Sequence, residues 1–316
     1  MSSPSRVSLR TSWLWRLAVA FAVLVGLVAY LVVQYVTGGP GVPTCTVDAG
    51  HGEDPYELSP EQAANAATIS AVGSARGLPE RAVTIALATA MQESELRNVR
   101  FGDRDSVGLF QQRPSQDWGT RKEILDPVYS AGEFYTHLAK IPGYARLPLT
   151  VAAQQVQRSA FPQAYAKHES HAAALAGALT GREGAALSCV QALPKGRGDA
   201  NGAAKVRGAL VREFGPGVLP RASAGASTGS GGTPPYELTV PVAAGGRAAA
   251  GDRSRRGWEL ANWAMAHSAD LRLERISYAG RTWTVADSGK GWQQRDAGDG
   301  KAAETADDGV RIVIAH

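Results

Sequence analysis

Glu93 is the residue of this sequence with the clearest chemical potential, because it lies where an apolar helical pattern ends. The segment LPERAVTIALATAMQESEL (78–96) places Val83, Ala86 and Ala90 on one stripe of a helix. Glu93 follows Ala90 by one helical turn, so its carboxylate falls on that stripe at the edge of the core. Partial burial and the negative end of the helix dipole both favour the neutral acid. A general acid that cleaves an ether or acetal bond needs this property.

The loop after Glu93 carries groups that can contact a sugar. GLFQQRPS (108–115) contains Gln111 and Gln112, whose amides can donate to and accept from hydroxyl and N-acetyl groups. Asp103 and Asp105 precede them and could position a water, as the second carboxylate of an inverting hydrolase does at about 6.5–9.5 Å from the first. Aspartates in such a segment are more often turn residues. The loop therefore predicts a saccharide cleft with one assured acid.

These residues resemble a known family. Glu93-Ser94, a turn and then Gly108-Leu109-Phe110-Gln111 are similar to the ES…GLMQ signature of soluble lytic transglycosylases and goose-type lysozymes. The pattern that follows is typical of the same family, with Asp126, Pro127, Tyr129, Gly132, Tyr135 and Leu138. The resemblance covers roughly residues 58 to 170. It implies a helical lysozyme-like fold, Glu93 as catalytic acid, Ser94, Gln111 and Gln112 at the substrate, peptidoglycan glycan strands as the substrate, and no cofactor or metal.

The third family motif departs from the pattern. Where the family has AYNAG, this chain has VQRSA (156–160), so the tyrosine that orients the catalytic acid is missing from its usual place. Gln157 or the later Tyr165 could take over that role, and both are expected at the substrate together with Ser94, Gln111 and Gln112. The choice between lyase and hydrolase therefore stays open.

The elements around Glu93 predict a mainly α domain over residues 44–214. Ser59, Pro60 and Gln62 form a helix start with a capping box, and Gly77 ends that helix. A Gly/Pro/Ser-rich linker over 215–235 follows. Residues 236–316 then show strand patterns around one helix, which predicts a small α+β module.

The first 37 residues predict a cytoplasmic tail and a transmembrane helix. Residues 17–36 contain no charge, which is enough to span about 30 Å of hydrocarbon. Arg6, Arg10 and Arg16 precede this run, so the positive-inside bias places the rest of the chain outside the cytoplasm. An uncleaved anchor fits better than a signal peptide, because the apolar run is long and VTGGPG is a poor cleavage site.

The exported part is expected to contain a disulfide between Cys45 and Cys189, because both cysteines fall in the oxidising compartment and bracket the Glu93 region.

The formal net charge of +4 includes the three N-terminal arginines, so the exported part is almost neutral. That balance excludes a nucleic-acid footprint. The expected partners are the glycan strands and the cytoplasmic membrane.

Rival zinc sites have weaker support. VDAGHGEDP (47–55) resembles the DPGHGG motif of N-acetylmuramoyl-L-alanine amidases, which would make His51 a ligand, but a helical domain follows instead of further strands. Residues 236–316 resemble a C-terminal module of actinobacterial wall proteins that is distantly related to zinc D,D-peptidases. Only Asp252 and His316 remain of that ligand set. The tryptophans of this module could stack on sugars, although core packing is the more usual role: Trp258, Trp263, Trp283 and Trp292.

Two functions follow from the sequence. The first is a membrane-anchored enzyme outside the cytoplasm that cleaves peptidoglycan glycan strands, either as a lytic transglycosylase or as a muramidase. The alternative is a catalytically weak peptidoglycan-binding or wall-assembly protein that keeps the lysozyme cleft.

Overall fold

A computed structural model describes residues 8–37, 42–48, 54–159, 162–192, 201–220, 236–242, 250–294 and 309–315. The chain divides into two compact units, Met1–Gly41 and Val42–His316. The first unit contains helix α1, Ser8–Thr37. No helix in the described ranges combines the length and apolarity needed to cross a membrane.

The part of the second unit that contains Glu93 is mainly helical, as the sequence predicts. Ser59 caps the first of its helices, since its hydroxyl accepts from the Gln62 amide while the Gln62 side chain accepts from the Ser59 amide. The α-helices are α2 Pro60–Ala75, α3 Glu80–Ser94, α4 Arg121–Ile124, α5 Pro127–Ala139, α6 Leu149–Gln157, α7 Glu169–Leu179 and α8 Gly202–Phe214. Short 3₁₀ helices lie between them at Pro114–Gln116, Tyr144–Arg146 and Pro162–His168, and another follows at Pro216–Val218.

A three-stranded antiparallel sheet closes this helical part, and the sequence patterns did not indicate it. Its strands are β1 Thr44–Val47, β2 Tyr56–Leu58 and β3 Leu187–Val190, with β1 in the centre. Cys45 lies opposite Cys189 in the β1–β3 register, and the two sulfurs are bonded. The predicted disulfide is confirmed, and it joins β1, at the start of the helical part, to β3, which follows α7.

The C-terminal residues form the small antiparallel sheet with one helix that the sequence predicts. The strands are β4 Glu237–Pro241, β5 Leu273–Tyr278, β6 Arg281–Thr284, β7 Gln293–Gln294 and β8 Gly309–Ile314, in the order β4-β8-β5-β6-β7. Helix α9, Ala250–Ala266, packs on this sheet, and a 3₁₀ turn lies at Ser288–Lys290. Most of the linker predicted over 215–235 lies outside the described residues.

The C-terminal sheet and its helix share a core with the helical part. The indole nitrogens of Trp283 and Trp292 donate to the carbonyl oxygens of Cys189 and Leu187 in β3, at 3.1 and 2.9 Å. Gly181 lies so close to α9 that a Cβ there would come within 1.8 Å of the Arg255 carbonyl oxygen. The four tryptophans of this region are all at least nine-tenths buried, so they serve as core rather than as a sugar-stacking surface.

Candidate active site

Glu93 lies in the last turn of α3, where the helix leaves the core. Ala90 and Ala86, one and two turns before it, are fully buried, whereas Glu93 is half-buried. Glu95 ends the helix in a left-handed conformation with φ 54°, and its side chain is 71% exposed. The helical phase therefore gives the two nearby carboxylates different surroundings, with Glu93 facing the protein and Glu95 facing solvent.

The hydroxyl of Tyr165 donates a hydrogen bond to Oε1 of Glu93 at 2.7 Å. Tyr165 lies in the 3₁₀ helix Pro162–His168 and is fully buried. Of the two substitutes considered for the missing family tyrosine, Tyr165 is the one that reaches Glu93. Among the hydrogen bonds of the described residues, Glu93 uses Oε1 and not Oε2.

The surroundings of Tyr165 keep its hydroxyl protonated. Burial raises the pKa of Tyr165 above its ordinary value, and the hydrogen bond and negative charge of Glu93 raise it further, while a hydrogen bond with Ser159 acts in the opposite direction. A tyrosine with a raised pKa remains a neutral donor through the physiological range. Tyr165 can therefore orient Glu93 but does not itself take up or release protons there.

A neighbouring contact holds the same end of α3 and was not predicted. Nε2 of His168 lies 3.2 Å from Oε1 of Gln92, the residue before Glu93. Three residues complete one turn of a 3₁₀ helix, so Tyr165 and His168 lie on one face and reach two consecutive residues of α3. No local sequence pattern indicates the contact between His168 and Gln92, because the two residues are 76 positions apart.

Three of the predicted substrate-binding residues hold the loop in place. Ser94, which is 9% exposed, donates to the Leu109 carbonyl at 2.7 Å, and Gln157 donates to the Phe110 carbonyl at 2.7 Å. Gln112 is 2% exposed and donates to the Ser130 carbonyl on α5. Their described hydrogen bonds fix the loop backbone beside α3, α5 and α6, so they position the site from within.

Gln111 lies at the surface of the same loop. Its backbone adopts φ 47°, a left-handed conformation that turns the chain. Its side-chain amide donates to the Gly108 carbonyl, and its Oε1 accepts from the Ser106 hydroxyl at 3.1 Å. The residue is half-buried, and it lies on the loop where the family resemblance places the sugar.

The two aspartates considered as a second carboxylate serve the loop as well. Asp105 accepts from Nε of Arg113 at 2.7 Å and from the Ser115 amide at 2.8 Å, and these bonds hold the pKa of Asp105 well below its usual range. Asp103 is 94% exposed and lies 3.9 Å from Arg104. Asp105 is thus engaged in closing the loop, and Asp103 is a solvated turn residue.

The zinc hypotheses gain nothing from the described residues, in which no group of three or more histidine, cysteine or acidic side chains could hold a metal. His51, the ligand of the amidase hypothesis, and His316 lie outside the described ranges. Asp252 lies in the first turn of α9.

Comparison with known proteins bears on the C-terminal part. A family described as the VldE C-terminal domain matches residues 239–306, which lie within the predicted module and do not include Glu93. This part of the chain is therefore similar to a known type of domain. No curated protein matches the chain. The resemblance of residues 58–170 to the lysozyme-like family stays a prediction from the sequence.

Proposed function

We propose that this protein is an enzyme that acts outside the cytoplasm and cleaves the glycan strands of peptidoglycan, with Glu93 as the acid and base. The observation that carries the proposal is the hydrogen bond from the buried Tyr165 to Oε1 of Glu93, because it supplies the orientation that the missing family tyrosine would give. A helix-end glutamate with only a structural role would not need one oxygen fixed and the other left open.

The chemistry assigns different tasks to the two oxygens of Glu93. Oε2 carries the proton and donates it to the glycosidic oxygen, so the bond to the anomeric carbon breaks and the leaving sugar departs as an alcohol. Oε1 stays bound to Tyr165 in both protonation states, since a carboxyl oxygen can accept a hydrogen bond in either. The carboxylate then takes a proton from the hydroxyl that attacks the anomeric carbon, which regenerates the acid.

The attacking hydroxyl decides between the two outcomes. An inverting muramidase needs a second carboxylate to activate water, and Asp105, the less exposed of the two candidates, is bound to Arg113 and Ser115. A lytic transglycosylase uses the C6 hydroxyl of the same sugar residue and needs one carboxylate only. The described residues therefore favour transglycosylation over hydrolysis.

The proposed location rests on the disulfide, since such bonds persist in oxidising compartments. Attachment to the membrane through residues 17–36 remains a prediction from the sequence. Fractionation of cells together with protease shaving checks both, because an exported and anchored protein stays with the membrane fraction and is digested in intact cells.

The test of the activity is Glu93→Gln in the full-length protein. Gln keeps the shape and accepts from Tyr165 but cannot protonate the leaving oxygen, so cleavage should stop while glycan binding and the melting temperature stay close to wild type. Glu95→Gln is the matched control, since it removes an exposed carboxylate two residues away. Mass spectrometry of released muropeptides reports both the activity and the type of product.

Other outcomes would redirect the proposal. Full activity of Glu93→Gln would remove Glu93 from the chemistry, and loss of wild-type activity in EDTA would favour a zinc site at His51. Binding of peptidoglycan without any cleavage by the wild type would favour the alternative of a binding or wall-assembly protein.

A further inference from the structure

An exposed aromatic ring with a guanidinium group against it lies on the loop that follows Glu93. Phe101 is 78% exposed, and the Arg121 guanidinium carbon lies 5.1 Å from the centre of its ring. Arg121 also donates to the backbone carbonyl of Arg100. The cation is therefore held in place by the loop backbone, and the pair presents a fixed apolar surface next to a positive charge.

The residue that follows Phe101 lies directly beside Gln111. Gly102, the next residue after Phe101, is so close to the Gln111 side chain that a Cβ at Gly102 would come within 1.8 Å of Oε1. The Gly108 amide donates to the Val99 carbonyl at 2.7 Å, which ties the start of the loop to its end. Phe101 and Arg121 therefore adjoin the part of the loop that Ser94 fastens to the end of α3.

The charges on this loop are not balanced around Phe101. Three of its arginines pair with neighbouring carboxylates, and these pairs are Arg97–Glu95, Arg104–Asp103 and Arg113–Asp105. Arg100, Arg121 and Lys122 have no carboxylate partner among the described residues, and all three are exposed. The carboxylate of Glu123, the next residue, is occupied at the start of α4, where it accepts from Thr120. Asp117 is the other exposed carboxylate of this loop, so the three cations exceed the two carboxylates by one positive charge.

We propose that Phe101 and Arg121 bind the acidic peptide that is attached to the glycan strand, an inference that rests on the proposed function. Peptidoglycan peptides combine carboxylates with small apolar side chains. The guanidinium complements the carboxylate, and the phenyl ring covers the apolar groups. A bare glycan strand, whose sugars are held by hydroxyl and amide contacts, makes less use of this combination.

The experiment compares binding to peptide-bearing and peptide-free peptidoglycan. Full-length Glu93→Gln protein is used as the background so that cleavage does not consume the probe, and binding to soluble, uncross-linked strands is measured by isothermal titration calorimetry before and after enzymatic removal of the peptides. Phe101→Ala and Arg121→Gln should each weaken binding to peptide-bearing strands about threefold, and together up to about tenfold. Binding to peptide-free strands should not change.

Arg104→Gln is the matched control, because it removes an exposed arginine of the same loop that is paired with Asp103. The Arg121→Gln effect should shrink in high salt, whereas the Phe101→Ala effect should persist. Unchanged binding in both variants would overturn the proposal, and so would an equal loss on both kinds of strand, which would assign the pair to sugar binding. Binding does not depend on turnover, so a wild type that fails to cleave glycan would refute the proposed function while this test still gives its own result.

Discussion

Replacing Tyr165 by Phe tests whether Glu93 depends on an orienting partner. The substitution removes the hydroxyl and leaves the ring in its buried site, so the packing around the 3₁₀ helix is retained. What is lost is one hydrogen bond of 2.7 Å to a carboxylate. Hydrogen bonds to charged groups contribute about 1.5–3 kcal/mol.

If that contribution acts in the transition state, kcat should fall by about 10- to 100-fold, since about 1.4 kcal/mol corresponds to a factor of ten in rate. The loss should appear in kcat rather than in KM, because Tyr165 is fully buried and its hydroxyl donates to the acid. It should also be constant between about pH 5 and pH 9, since a raised pKa keeps Tyr165 protonated throughout that range.

Tyr135→Phe is the matched control for this experiment. Tyr135 is also a buried tyrosine of the same helical part, but its hydroxyl donates to the Ile69 carbonyl at 3.0 Å. Its removal should lower the melting temperature without lowering kcat. The assay is release of muropeptides from purified peptidoglycan by the full-length variants. Wild-type kcat in Tyr165→Phe, or an equal loss in both variants, would refute the orienting role.

Two further predictions concern stability. Replacing both Cys45 and Cys189 by Ala should lower the free energy of unfolding by about 5 kcal/mol, a value that the chain-entropy relation gives for the sequence separation of 144. Denaturant titration measures this loss, and an unchanged unfolding midpoint would contradict the prediction. Trp283→Ala should cost about 3–5 kcal/mol, because the ring is fully buried and bonded to the Cys189 carbonyl. Calorimetry should show one transition shifted to lower temperature for residues 42–316, whereas a shifted C-terminal transition beside an unchanged one would show that the two parts unfold separately.

The sequence allows the helices and the position of Glu93 to be predicted because both depend on local rules. A capping box at Ser59 and an apolar stripe in α3 are set by residues within one or two turns of each other. The contact between Tyr165 and Glu93 spans 72 residues, and no local pattern reports it. The 3₁₀ geometry of residues 162–168 also changes which side chains share a face, and a helical period read from the sequence misses that change.

The sheet of β1, β2 and β3 escaped prediction for a related reason. Its strands have three or four residues each, too few for a clear alternation. The cysteines alone indicated that residues near 45 and 189 meet.

From their chemistry, Ser94, Gln112 and Gln157 were predicted to contact a ligand, whereas their described hydrogen bonds go to the backbone of the protein. A side-chain hydroxyl or amide can hydrogen-bond either to a ligand or to the protein backbone. Only the position of the partner shows which of the two roles it has.

The burial of β3 beneath the C-terminal tryptophans constrains when the disulfide can form. Cys45 and Cys189 are only 1% and 2% exposed in the folded chain, and Trp283 lies over the strand that carries Cys189. An oxidising enzyme needs access to the thiols, so oxidation has to precede the docking of residues that are synthesised almost a hundred positions later. Once docked, the same residues shield the bond from thiols in the surroundings. The C-terminal part thus protects a disulfide that has formed before it docks. In a chain truncated before this part, the disulfide would be accessible to thiol–disulfide exchange.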